Sequence, residues 1–263
     1  MKIKIDSNPT FNCNACGTCC SHLKGFISNN EKEFLKEYAF GKLPVIQLTS
    51  IENMTFPLWD WEAKRFKEWQ QDVNIDANIK PLRAIYDQNS NKSIILTYYM
   101  DSPTDACPFL KDNKCTIYDK KRAYVCRLFP FNKSHIQFEN NSDPKSLFGS
   151  CGSMEKILPN LPKDKDDLIT YLKETFPNGE FLNALQNDLI VEWSNKTIID
   201  LIKTNKIRPA INHPYEFLLK RINNSEKINF TDFLIKSKYY SINQLIETLD
   251  KFDNNTDAKE MLS

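Results

Sequence analysis

Residues 11–20 read Phe-Asn-Cys-Asn-Ala-Cys-Gly-Thr-Cys-Cys (FNCNACGTCC): Cys13, Cys16, Cys19 and Cys20 fall within eight residues, the last two adjacent. A C-x-x-C step lets two thiolates turn inward on one ion. Gly17, directly after Cys16, frees the backbone for the tight turn this requires. Thiolates crowded in apolar surroundings repel one another, so such a stretch implies bound positive charge. The vicinal pair sets a further expectation. Adjacent side chains diverge, which makes Cys19 and Cys20 awkward ligands for one tetrahedral ion. Either they serve two neighbouring centres, or one ligates and the other has a second role.

Four more cysteines follow, Cys107, Cys115, Cys126 and Cys151, and none occurs after residue 151. A buried structural thiol is normally a solitary small hydrophobe, so the eight are read as one constellation of candidate metal ligands. The N-terminal loop contributes to an assembly completed by the later four. Two four-thiolate zinc ions, one 4Fe–4S cubane with spare thiols, or a cluster plus a zinc all satisfy the count. The spacing differs from the ferredoxin run C-x2-C-x2-C-x3-C-P, because Cys20 follows Cys19 directly. It also differs from the C-x3-C-x2-C spacing of radical chemistry on S-adenosylmethionine.

Composition bounds the rest. The chain has 263 residues, 41% hydrophobic and 26% charged, enough for a sizeable core without disulfides. A formal net charge of +1 gives no field that would draw the protein onto nucleic acid or an anionic membrane. The polar start MKIKIDSNPTF has no signal-peptide core, and no stretch reaches the ~18 apolar residues of a membrane span. A cytoplasmic protein is therefore expected, where thiols stay reduced and clusters favour metal or redox chemistry.

Periodicity predicts an α+β fold. Asn30 with Glu33 caps a short helix carrying Phe34, Leu35 and Tyr38, ended by Gly41. A strand is expected at 45–49. A helix is expected from Pro57 to Trp69, with Pro57 in its first turn, Trp59, Phe66 and Trp69 on one stripe, and Trp61 to one side. Residues 82–86 and 93–100 read as two strands around the turn-forming run 87–91. After Cys151 the pattern turns helical, at 166–176, at 181–193, and after the Ser241/Gln244 capping box. The tail from Asn254 is expected to fray. The predicted architecture is a loop-rich cysteine-cluster domain with a small antiparallel sheet, residues 1–155 with an insertion at about 41–100. An all-helical C-terminal extension follows over 156–263.

The segments CNACGTCC, ACPFLKDNKCTIYDKKRAYVCRLFPF and SCG together resemble the YkgJ-type cysteine-cluster family. That family is a zinc- or iron-chelating domain with a C-x-x-C-x-x-C-C motif. Its pattern falls on Cys13, Cys16, Cys19 and Cys20; on Cys107 with Phe109 and Leu110; and on Cys115 with Ile117 and Tyr118. It continues on Arg122, Cys126, Arg127, Phe129 and Pro130, and on Cys151. Ala123 stands where the family carries proline, a change that touches turn stiffness and not ligation. The resemblance extends to flagellin lysine N-methylases. It thereby implies an iron–sulfur cluster and methyl transfer from S-adenosylmethionine to a protein lysine, although no glycine-rich nucleotide loop is present.

Other side chains have plainer readings. His22 could ligate or hydrogen-bond a sulfur, but also reads as a loop histidine. His135 and His213 have no motif around them. Arg122 and Arg127 offset thiolate charge beside Cys126, and Tyr118 and Phe129 are expected to pack around the site. No G-x-S-x-G elbow or paired cysteine and histidine indicates a hydrolase. The expected function is a thiolate-ligated metalloprotein, with an iron–sulfur cluster or zinc, taking part in chemistry. The alternatives are a structural zinc module that scaffolds a protein partner, and a metal storage or delivery protein. The oligomeric state stays open.

Overall fold

The long hairpin of Asn78–Asp87 with Lys92–Asp101 forms because residues 93–100, SIILTYYM, are rich in β-branched and aromatic side chains and suit a buried pleat. A computed structural model describes residues 8–14, 16–21, 23, 44–50, 53, 55, 57–102, 104, 106–118, 122–131 and 151–263. The helix expected around Phe34, along with His22 and His135, lies outside the described residues. The main sheet holds β1 (Ile46–Gln47), β2 (Pro57–Trp59), β3 (Asn78–Asp87), β4 (Lys92–Asp101) and β7 (Glu226–Asn229). A separate hairpin pairs β5 (Leu110–Lys111) with β6 (Lys114–Cys115).

β3 and β4 are antiparallel, from Asn78 opposite Asp101 to Asp87 opposite Lys92. Their turn is tied by the buried Asp87 carboxylate, which accepts hydrogen bonds from Asn89 N–H, Ser90 N–H and Arg208 N–H. β1 extends the sheet beyond β3. The other edge of β4 is shared. β2 pairs antiparallel with residues 97–99, and β7 pairs parallel with residues 92–95.

The helices are α1 (Thr18–Ser21), α2 (Asp60–Asp72), α3 (Tyr124–Arg127), α4 (Lys165–Thr175), α5 (Glu180–Lys203), α6 (Tyr215–Asn224), α7 (Phe230–Lys236), α8 (Ile242–Asp253) and α9 (Thr256–Leu262). The mixed helices and antiparallel sheet make the fold α+β. Within the helical C-terminal part, β7 is a single short strand. Its Ile228 sits opposite Ile94, in a core shared with Ile85, Ile198, Leu201, Phe230 and Leu234.

Two local expectations change. Pro57 opens β2 and not a helix: it pairs with Tyr99 at the start of a short strand, a place that tolerates a missing N–H. The helix begins at Asp60, so the phase of its buried face shifts. Trp61 is buried, stacked on Trp59 at 5.3 Å and edge-on to Trp193 at 6.2 Å. The tail from Asn254 does not fray but forms α9. Ala258 is buried there, and its N–H donates to Gln186 Oε1 at 3.2 Å.

The far face of α2 positions the site. Ala63 and Phe66 pack with Leu58 and Met100 of the sheet, and the same core takes in Phe109, Ile117 and Ala123. The cysteine segments therefore lean on the sheet through α2.

Candidate metal centre

Gly17 sets the course of the first cysteine loop. Its φ of +76° is one that side chains resist. A Cβ there would come within 3.2 Å of Leu110 Cδ1 and 3.4 Å of Asn113 Cα. The loop thus presses against the β5–β6 hairpin, which turns at Asp112 and Asn113 with φ of 50° and 58°. The Gly17 carbonyl accepts from Cys20 N–H at 3.0 Å and from Ser21 N–H at 2.9 Å, winding α1. Cys107 N–H then donates to the Cys20 carbonyl at 2.6 Å, joining the first cysteine segment to the second.

Cys126 rides on α3, whose first N–H is capped from another element. Glu62 Oε1 accepts from Tyr124 N–H at 2.7 Å, and its Oε2 accepts from Trp59 N–H at 3.1 Å. Burial pushes the Glu62 carboxyl up to about 7, against the pull of these donors and of Arg127. Cys151 is brought in by two ties. Ser153 Oγ donates to the Asn12 carbonyl at 2.8 Å, and Phe11 N–H donates to Thr175 O at 2.7 Å.

All eight cysteines, Cys13, Cys16, Cys19, Cys20, Cys107, Cys115, Cys126 and Cys151, line one cavity of about 140 Å³. None of the eight is in a disulfide; Cys13 and Cys16 are exposed and the other six half-buried. The walls are mainly apolar, with Phe66, Phe109, Leu110 and Phe129 among them. Among the described residues, no three His, Cys, Asp or Glu side chains stand as a ready-made ion site. The thiols surround a shared space without closing onto a single point.

Two walls divide them. Cys107, Cys115 and Cys126 pack on the core of Phe66, Phe109, Ile117 and Ala123. Cys151 packs instead on a core of Phe11, Ile157, Phe176 and Phe181, together with Phe129. The electrostatics follow the same division. Burial pushes Cys107 up to about 11, with Cys115 and Cys19 adding repulsion. Cys126 is raised strongly by burial and then by Cys107, Cys115 and Cys19, while Arg122 opposes the rise. Cys151 is raised by burial, and its thiol neighbours are Cys16 and Cys13. Cys19 is raised by its hydrogen bond with Cys20, by burial, and by the charges of Cys20 and Cys16. It therefore bridges the two groups.

The sulfurs of Cys19 and Cys20 do not diverge as expected. They lie 3.8 Å apart, and two thiolates on one tetrahedral zinc, each at about 2.3 Å, also sit about 3.8 Å apart. The helical turn of α1 bends the two side chains toward the same space, which an extended backbone would not do.

Arg122 acts on Cys126 as expected, whereas Arg127 acts on Glu62. Arg122 lies over the Tyr118 ring at 4.2 Å, Arg127 lies over Tyr124 at 3.9 Å, and both line the cavity. Tyr118 remains 45% exposed, so it forms rim more than cover. His213 stacks on Phe217 at 4.8 Å and is not among the cavity residues. The one acidic cavity residue among the described residues escaped the sequence reading. Glu180, at the start of α5, reaches the cavity, and an acid in the first turn of a helix carries no sequence signal of such a role. Glu62 was missed for the same reason.

No curated protein and no solved structure matches the chain significantly. One family profile does match, that of the CxxCxxCC family, described as a "putative zinc- or iron-chelating domain", over residues 12–145. Cys151 and Glu180 lie beyond the matched span and reach the cavity through tertiary contacts. A profile covering slightly more than half of the 263 residues, on a cavity lined by its cysteines, shows that the chain belongs to this zinc- or iron-chelating domain family.

Proposed function

We propose that this protein is a thiolate metalloprotein whose cysteine cavity holds zinc or an iron–sulfur cluster. The observation that carries the reading is the convergence of eight cysteines, none in a disulfide, from four separate stretches of chain, on one largely apolar space. The donor set fits such a group. Thiolates are the preferred ligands of zinc and of iron–sulfur clusters. The Cys20 hydrogen bond raises the proton affinity of Cys19, and burial raises that of Cys107, Cys126 and Cys151; a bound cation would oppose both. Zinc would supply folding energy, and an iron–sulfur cluster would supply electron transfer.

In this reading the cavity has two parts. Cys19, Cys107, Cys115 and Cys126, with Cys20 beside Cys19, form a shielded inner set against α2. Cys13, Cys16 and Cys151 form an outer set open to solvent at Cys13 and Cys16. The shielded inner set supplies enough thiolates for a closed, structural centre; the outer set suits exchange or chemistry. The chain's own residues hold the arrangement: Glu62 caps α3 and faces the charge of Arg127, Gly17 allows the close approach of the loop, and Arg122 offsets the charge of Cys126.

Methyl transfer from S-adenosylmethionine to a protein lysine rests on the resemblance. At about 140 Å³ the cavity is smaller than the roughly 300–1,000 Å³ of pockets that enclose small organic ligands. It suits an ion or cluster, and a methyl donor would have to bind outside it. Calorimetric titration with S-adenosylmethionine tests that activity, and no binding removes it. Purification without oxygen, followed by metal and sulfide analysis, tests the metal reading. Iron with sulfide in cluster ratio, or tightly held zinc, supports it. A chain that takes up neither under reducing conditions refutes it.

A further inference from the structure

We propose that Cys19 and Cys20 form a dithiol site for a monosubstituted trivalent arsenical, whose organic group lodges against the apolar wall of the cysteine cavity. The proposal goes beyond the metal reading, because it needs only these two thiols.

The two sulfurs lie 3.8 Å apart. A disulfide would need them at about 2.05 Å; an atom inserted between the sulfurs does not. The backbone holds the pair in place. The Gly17 carbonyl accepts from Cys20 N–H at 3.0 Å and from Ser21 N–H at 2.9 Å, and the Cys20 carbonyl accepts from Cys107 N–H at 2.6 Å. Once one sulfur has bound, the second closes in an intramolecular step at high effective concentration. Among the described residues, no three His, Cys, Asp or Glu side chains stand ready for an ion. A ligand that takes two sulfurs needs no further convergence.

The surroundings suit an organic group. Cys19 and Cys20 are half-buried, whereas Cys13 and Cys16 are exposed. Leu23, Phe66, Phe109, Leu110 and Ile117 line the same cavity. Leu110 N–H donates to the Cys107 carbonyl at 2.9 Å, so this wall begins beside the bond that holds Cys20. The cavity holds about 140 Å³. A cavity of about 150 Å³ walled by Leu, Ile and Phe takes up benzene, so an aryl substituent fits.

In the hydrated reagent, arsenic carries one carbon and two hydroxyl groups. Two As–S bonds form and two As–O bonds break. The two thiol protons leave with the two hydroxyl groups as water. Arsenic stays trivalent, and no oxidant is needed. Thiolates are soft donors, which suits such a centre.

The test uses the full chain, freed of metal without oxygen and kept reduced with a phosphine. Phenylarsine oxide is the probe. The expected result is a first, tightly held equivalent, with mass spectrometry showing one phenylarsenic group gained and two hydrogens lost. Peptide fragmentation places it on Cys19 and Cys20. Cys19→Ser and Cys20→Ser each weaken binding by about a hundredfold or more, with circular dichroism confirming the fold. Should either variant fail to fold, the wild-type fragmentation decides alone. A first equivalent on any other thiols, binding unchanged in both variants, or an equal loss in Cys13→Ser overturns the proposal. Zinc and iron uptake are measured on the same wild-type preparation. A chain that takes up metal but not phenylarsine oxide loses the arsenical site and keeps the metal reading. A chain that binds phenylarsine oxide but neither metal keeps the site and loses the metal reading.

Discussion

Cys107 N–H donates to the Cys20 carbonyl at 2.6 Å. This bond joins two cysteine segments that lie far apart in the chain. It fixes the end of the first loop against the turn leading to Phe109 and the β5–β6 hairpin. Inner thiols are therefore placed by backbone contacts, whereas Cys13 and Cys16 sit on the exposed side of the loop. Serine at Cys126 should lower both metal content and thermal stability. Serine at Cys13 should lower metal content with little change in the melting temperature. Metal analysis and thermal denaturation of the two variants check this, and equal effects would count against a two-part cavity.

Metal uptake should release protons. Burial raises Cys107 to about 11 and also raises Cys126 and Cys151, so these thiols are protonated near neutral pH in the metal-free chain. Each that ligates must give up its proton, and affinity should rise by about tenfold per pH unit for each such thiol. Zinc competition titrations between pH 6 and 8 measure the slope. An affinity independent of pH would remove these thiols from the ligand set.

Gly17→Ala should cost about 1–2 kcal/mol, because its φ of +76° is strained for an L side chain. The added methyl would also press on Leu110 and Asn113. Gly152→Ala serves as the control, since a Cβ there meets nothing within 4 Å. Urea unfolding compares them. Equal stability of the two variants would show that the loop does not need its close approach to the hairpin.

Glu62→Ala should leave the buried Tyr124 N–H without an acceptor, a loss of about 1–3 kcal/mol. Because Tyr124 begins the helix that carries Cys126, metal affinity should fall with stability. Urea unfolding and zinc titration on one preparation would show whether the two move together. Full affinity in a destabilised variant would mean that α3 keeps its place without the cap.

Asp60 should make stability fall as pH rises. Its Oδ2 accepts from Thr231 N–H at 2.8 Å and from the Thr231 hydroxyl, while Oδ1 is buried without a partner. Burial raises its pKa from 3.8 to about 6. The folded chain therefore holds this proton to higher pH than the unfolded chain does. Its contribution is complete below pH 3.8 and is lost as pH climbs through 6, by on the order of 3 kcal/mol. Asn at this position keeps one accepting oxygen and carries no charge. The stability difference between wild type and Asp60→Asn, followed from pH 4 to 7, should change by that amount. A constant difference would mean that Asp60 does not titrate in this range.

Much of the fold was legible in the residues. The β3–β4 hairpin, α4, α5 and the capped α8 follow from local pattern, since period and turn chemistry are properties of neighbouring side chains. The start of α2 was not, because a proline suits the beginning of a strand as well as the first turn of a helix. Pairing with β4 decides between them. Nor was α9, a short helix held by Gln186 of α5.

The eight cysteines and the family they mark are written in the sequence, because thiol spacing along a loop limits which sulfurs can share an ion. Their sorting into two walls, the approach of Cys19 to Cys20, the capping of α3 by Glu62 and the arrival of Glu180 at the cavity come only from the tertiary structure. Those relations depend on which faces of distant helices are buried together, and a carboxylate in a first helical turn looks the same in sequence whether it faces solvent or a cavity.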